Sequence, residues 1–176
     1  VIGGERVPPG RPVVFAANHR SFIDPFLAGL VPHRNTTIMV RSWPFRIPFL
    51  GWFMRAGRYL EVDETPFEEA SSEMREQAAR GASLFCFPEG HRSRTGRLQR
   101  FRSGGFRLAV ENRMPVVPVL VTGTENVRVP HWRLVKPAAI RVEFFPPVEP
   151  ENWEDEDAVN DLRVRVQSQF RKLLGE

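Results

Sequence analysis

The chain has 176 residues, 41% of them hydrophobic and 26% charged, a size and balance that fit one domain with a single core and exclude a mainly disordered chain. Its net charge of +4 reflects 25 basic against 21 acidic residues, with arginine carrying nearly all of the positive charge; guanidinium grips phosphate and carboxylate in a two-pronged contact, so phosphorylated small molecules, acidic carrier proteins and anionic lipid heads are the favoured partners. No basic run interleaves with aromatics, which sets nucleic acid aside, and no apolar run approaches the roughly 20 residues that cross a bilayer.

The chain opens abruptly with Val1-Ile2-Gly3-Gly4 and reaches a strand pattern at 13–17, which reads as a piece of a longer parent. Apolar runs of strand length then alternate with helical patterns, the signature of an α/β fold in which helices flank a mostly parallel central sheet. After the first strand, Pro25 suits the first helical position with Asp24 as its cap, and Phe26, Leu27 and Leu30 are expected to face inward. A second strand is expected at 37–40, then an aromatic stretch at 43–53 and a short strand near 59–62. Thr65-Pro66-Phe67-Glu68 has the pattern of a capping box, and Phe67, Ala70, Met74 and Ala78 recur at helical spacing until Gly81. The run at 83–87 is short, almost wholly apolar and followed by Pro88 and Gly90, as a central strand would be. A helix is expected over 104–111, strands over 116–121 and 140–145, and a closing helix over about 155–174 with Val159, Leu162, Val166, Phe170 and Leu173 on one stripe. A single domain is expected, with its motifs between about 13 and 145. The one cysteine, Cys86, lies in an apolar run and reads as a buried thiol in a reducing compartment.

Two segments carry chemistry. Asn18-His19-Arg20-Ser21-Phe22-Ile23-Asp24 follows the first strand, at the carboxyl end where catalytic groups gather in such sheets. An imidazole there can take a proton from a hydroxyl, and a carboxylate on its far nitrogen fixes the tautomer. Full extension would hold the two side chains about 16 Å apart, so a tight turn must fold Asp24 back toward His19. The alternative is that Asp24 only caps the helix and His19 makes backbone contacts. The second segment, Phe87-Pro88-Glu89-Gly90-His91-Arg92-Ser93-Arg94-Thr95-Gly96, follows the central strand. Its glycines allow close approach of a ligand, Arg92 and Arg94 are placed to hold an anion, and Glu89 either orients an acceptor or ties the loop down. A solvated surface loop is the alternative here, and a metal site from His19, Asp24, Glu89 and His91 is a third reading, without a known ligand spacing.

Together, Asn-His-x-Ser-x-x-Asp and the later Phe87-Pro88-Glu89-Gly90-x-Arg92-Ser93 resemble the signature blocks of the glycerolipid acyltransferases, typified by the 1-acyl-glycerol-3-phosphate (lysophosphatidic acid) acyltransferases. Ile47-Pro48-Phe49-Leu50-Gly51-Trp52, Phe101-Arg102-Ser103-Gly104-Gly105-Phe106 and Val117-Pro118-Val119 extend the resemblance over about 13–123. It implies a glycerol-3-phosphate acyltransferase-like fold, with His19 as general base and Asp24 as its partner. Asn18, Ser21, Glu89, Gly90, His91, Arg92, Ser93 and Arg94 would bind substrate. It also implies transfer of a fatty acyl group from acyl-CoA or acyl-carrier protein to a lysophospholipid-type acceptor, with no metal, no cofactor beyond the co-substrate and no acyl-enzyme.

Two positions depart from the family pattern. Val62-Asp63 is followed by Glu64, where the family carries an arginine that helps hold the acceptor phosphate, and His91 replaces a threonine. The aromatic stretch at 43–55 suits peripheral contact with the cytoplasmic face of a membrane, since Trp favours the interface and Arg reaches head groups. The competing readings are a thioesterase, with water in place of the acceptor, and a non-catalytic lipid-binding module.

Overall fold

A computed structural model describes residues 1–93, 95–127 and 138–176. Among these, strands β1 (Val14–Ala17), β2 (Thr36–Val40), β3 (Leu60–Glu61), β4 (Ser83–Cys86), β5 (Val116–Thr122) and β6 (Arg141–Phe144) form one sheet in the order β3-β2-β4-β1-β5-β6. All pairings are parallel except that of β6 with β5. The fold is therefore α/β with a mostly parallel sheet, as the alternation of patterns predicts. The two central strands, β1 and β4, are buried at every position, which is why they read as unbroken apolar runs instead of alternating ones.

The helices are α1 (Leu50–Ala56), α2 (Phe67–Ala79), α3 (Gly104–Glu111) and α4 (Ala158–Leu174), with 3-10 turns at Gly4–Arg6, Asp24–Leu30, Trp43–Arg46 and Thr124–Asn126. One core layer joins Val14, Ala16, Leu84 and Cys86 of the sheet to Met74, Phe106, Leu162, Val166 and Phe170 of α2, α3 and α4. On the other face, Val13, Phe15, Ala17 and Phe85 pack with Val119, Val142 and Phe144. Alternation along β1 sends odd-numbered residues to one face and even-numbered ones to the other. No helix among the described residues is long and apolar enough to cross a membrane.

Four local expectations are corrected. Asp24 is not a helix cap: Ile23 occupies that position without a side-chain bond, and Asp24 is the first residue of its 3-10 turn. In that turn Asp24 and Ala28 point inward, so Phe26 and Leu30, two residues beyond each, point out and are 79% and 45% exposed. The capping box at 65–68 does not form, because α2 begins at Phe67 with Pro66 at the cap position and no side-chain cap bond. At α4 the stripe is Ala158, Leu162, Val166 and Phe170, while Leu173 is exposed as the helix runs past the core.

Candidate active site

Parallel neighbours deliver their carboxyl ends to the same edge of a sheet, and β1 and β4 are such neighbours. The loops that follow Ala17 and Cys86 therefore emerge side by side. They are joined through the backbone of His19: its N–H donates to Glu89 Oε1 at 2.7 Å, and its carbonyl accepts from the Ser93 N–H at 2.7 Å. Two segments 70 residues apart in the chain thus form one rigid edge.

The turn that the sequence demands is present. His19 Nδ1 lies 2.8 Å from Asp24 Oδ2, and the same oxygen accepts the backbone N–H groups of Arg20 at 2.7 Å and Ser21 at 2.6 Å. Asp24 is fully buried. Its carboxylate is thus held by three donors, and Nδ1 must carry a hydrogen to be one of them. That tautomer leaves Nε2 with its lone pair, and among the described residues Nε2 has no hydrogen-bond partner. The imidazole stacks on Phe87, ring centroids 4.2 Å apart and 22° between planes, and its side chain keeps 16% exposure. Held from one side by a carboxylate and on a ring face by phenyl, the imidazole keeps one nitrogen without a partner among the described residues, an arrangement that suits proton abstraction.

The remaining expected site residues divide by what their side chains touch. Asn18 is buried and spends its amide on Val121, donating to its carbonyl at 2.8 Å and accepting its N–H at 2.7 Å; it extends the β1–β5 ladder by one step instead of facing a substrate. Glu89 is also buried, its Oε2 accepting the Gln99 N–H at 2.9 Å. Burial pushes its carboxyl up from the ordinary value, and the N–H donors of His19 and Gln99, with the Arg20 guanidinium, only partly hold it down. Of the two roles open to Glu89, tying the loop down is the one its bonds perform. With both oxygens turned to backbone N–H groups, it is also ill placed to join His19, Asp24 and His91 around a metal.

Ser21 is buried beside Asp24, and Ser93 donates its hydroxyl to the Arg97 carbonyl at 2.7 Å. His91 and Arg92 are exposed, and Gly90 has φ +75°. Arg94 lies outside the described residues. The acids at 63 and 64, the second of which would repel a phosphate if left open, are each engaged by an arginine: Asp63 Oδ2 accepts Arg41 Nε at 2.9 Å, and Glu64 pairs with Arg46. Burial alone would raise the Asp63 carboxyl, but the Arg41 and Ser42 hydrogen bonds outweigh it and hold the group below its ordinary value.

Three contributors escape sequence reasoning. Phe87 supplies the stacking face, Gln99 the second donor to Glu89, and Arg20 a guanidinium only 17% exposed, 3.6 Å from Glu125. Arg20 had a signal, its position between base and carboxylate; Gln99 had none.

Known proteins resemble this geometry and this sequence. A crystal structure of the 1-acyl-sn-glycerophosphate (LPA) acyltransferase PlsC from Thermotoga maritima superposes with a TM-score of 0.74 at 25% identity, over 99% of this chain and 71% of that one. The chain is 31% identical to a 1-acyl-sn-glycerol-3-phosphate acyltransferase of Cocos nucifera over 81% of its own length and 48% of that protein. It is 29% identical to a like-named protein of Saccharomyces cerevisiae over 100% of its length and 59% of that one. It therefore spans about half the length of such relatives. Residues 1–122, which contain the joined loops, match the family model described as acyltransferase, and the chain belongs to the acyltransferase family.

Proposed function

We propose that this chain catalyses transfer of a fatty acyl group from acyl-CoA or acyl-carrier protein to the free hydroxyl of a lysophospholipid-type acceptor, 1-acyl-glycerol-3-phosphate being the first candidate, as a step of phospholipid synthesis. The observation that carries this reading is the His19–Asp24 pair, Nδ1 to Oδ2 at 2.8 Å, with Nε2 open at the edge formed by the two loops. In the proposed reaction Nε2 takes the proton of the acceptor hydroxyl as its oxygen attacks the thioester carbonyl. Collapse of the tetrahedral adduct breaks the C–S bond, and the departing thiolate takes the proton back from the imidazolium. Asp24 stabilises that imidazolium and keeps the ring in one tautomer. A thioester is already activated, so holding the hydroxyl beside a base supplies most of what the step requires.

The names of the relatives support the acceptor class, and the arginines around the 87–102 loop suit a phosphorylated one. Contact with a membrane through 43–55, at its cytoplasmic face, is part of the proposal. It is supported by the exposure of Trp43, Phe49, Trp52 and Phe53 and, for the compartment, by a single buried thiol.

The test is release of free thiol from acyl-CoA, followed with and without 1-acyl-glycerol-3-phosphate. Acceptor-dependent release and appearance of the diacyl product are expected. His19→Ala is expected to lower kcat by on the order of a hundred- to ten-thousand-fold with the circular dichroism spectrum unchanged. Thiol release that ignores the acceptor would favour a thioesterase, and no release with either donor would favour a binding module.

A further inference from the structure

Every hydrogen bond that holds Asp24 comes from within its own turn. Oδ2 accepts from His19 Nδ1 and from the N–H groups of Arg20 and Ser21, while Oδ1 has no hydrogen-bond partner among the described residues. These bonds set His19 against Asp24, but they do not fix the couple against the rest of the sheet edge. The ties that do so gather at the start of the turn, where Asn18 bonds Val121 and the His19 main chain bonds Glu89 and Ser93. Beyond them, among the described residues, 20–24 make one polar contact with any part of the chain outside 18–30. It is the ion pair of Arg20 Nη1 with Glu125 Oε1 at 3.6 Å.

Glu125 is a firm post for that tie. Strands β1 and β5 are parallel neighbours, so the segments after Ala17 and Thr122 leave the sheet at the same edge. The other carboxylate oxygen, Oε2, accepts the Gly123 N–H at 3.0 Å and so fixes Glu125 within its own 3-10 turn. Gly123 has φ +92°, and a Cβ there would sit 2.0 Å from the Ala139 carbonyl oxygen, so this turn is seated directly on the segment that leads into β6. Thr124, next to the acid, is fully buried. The Arg20 guanidinium is largely withdrawn from water, so salt screens the pair less than it would an open one.

We propose that Arg20 and Glu125 are positioning residues of the active site. Their ion pair straps the far limb of the catalytic turn to the end of β5 and thereby holds Asp24, and the imidazole bonded to it, in place beside the second loop. A lone pair of this kind adds little to overall stability; its effect is on position, and a base misplaced by about 1 Å can cost on the order of a hundredfold in rate. The proposal rests on the acyltransferase reading for what is turned over, but not for where the imidazole sits.

The experiment compares wild type with Arg20→Gln, Arg20→Lys, Glu125→Gln and the double Gln variant, using acyl-CoA and 1-acyl-glycerol-3-phosphate. Each single Gln variant is expected to lower kcat by roughly 10- to 100-fold, with both KM values within about threefold and Tm lowered by no more than about 4 °C. The double variant should be no worse than the poorer single one, because both remove one interaction. Arg20→Lys keeps the charge and should recover part of the loss. Proton NMR follows position without turnover: the His19 ring stacks on Phe87 of the other loop, and the upfield shift that phenyl imposes on the imidazole protons should shrink in both single Gln variants.

A kcat within about twofold of wild type in either single Gln variant, or losses that multiply in the double one, overturns the strap. So does a defect confined to Arg20→Gln and expressed in KM, which would make the arginine a substrate contact. Ring-proton shifts that stay at their wild-type values in both variants overturn it as well. If wild type turns over no acceptor, the acyl-transfer reading falls, and the ring shifts alone then decide whether the strap holds the imidazole.

Discussion

Cys86 ends β4 two residues before Pro88, and its Sγ lies 2.9 Å from where a side chain on Gly105 would begin, so α3 closes directly over the thiol. Burial pushes the thiol up to about 12, which leaves roughly one thiolate in ten thousand at pH 8. Since the thiolate is the reactive form, native protein is expected to resist a disulfide reagent for hours and to react within minutes in guanidinium; rapid labelling of the folded chain would contradict the burial. His19 and Asp24 could be paired from sequence because proton transfer calls for those two groups and only a turn could join them. What surrounds them left weaker traces. Asn18 and Glu89 look like site residues by type, yet both bond to backbone groups brought by other strands and loops, a choice that no local pattern encodes. Gln99 is hidden for the converse reason: it acts through its main chain, which every residue possesses.

At the scale of elements, α1 is the least settled within its own fold. It packs closely on the Trp43–Arg46 turn, where a Cβ on Gly51 would sit 2.1 Å from the Phe45 carbonyl oxygen. Phe49, at its cap position, has φ 64° and is 87% exposed. A bulky residue in that backbone region is strained, at a cost of order 1–3 kcal/mol, and no burial of its ring compensates within the molecule. Phe49→Gly is expected to stabilise the isolated chain by about 1 kcal/mol, seen as a rise in Tm of roughly 2–4 °C, while weakening the vesicle binding proposed for this face. A lower Tm would show that the phenyl ring is packed after all. Helix α3 matches the sequence expectation at both ends, because Gly104 and the polar Asn112 bracket one clear apolar period. The 3-10 turn at Asp24–Leu30 departs from the sequence expectation because apolar side chains at 26 and 30 satisfy the spacing of a buried face while Asp24 and Ala28 are the residues that face inward. Periodicity reports that a stripe exists; only packing decides which side of it meets the core.

The whole molecule has a polarity that strand composition cannot reveal. Alternating patterns predict a mostly parallel sheet, but not the order that sets β1 and β4 at its centre and brings their loops together, nor the reversal of β6. That order depends on contacts between distant segments. Away from the core, Trp43, Phe49, Trp52 and Phe53 are 59%, 87%, 73% and 56% exposed, and Arg46 and Arg55 lie among them in the chain. Single exposed apolar residues are ordinary, but four large aromatics within eleven positions form a surface that water disfavours. If this surface enters a bilayer interface, Trp43 and Trp52 should shift their fluorescence to the blue on addition of vesicles containing anionic lipid. Salt at 0.5 M should weaken the binding, because it screens arginine against head groups, without abolishing it, because burial of aromatic surface is insensitive to screening. Replacing Phe49, Trp52 and Phe53 by serine should lower the partition coefficient by roughly tenfold or more per side chain. An unshifted spectrum, or binding that salt removes completely, would assign the attraction to charge alone and leave the aromatic face without a role at the membrane.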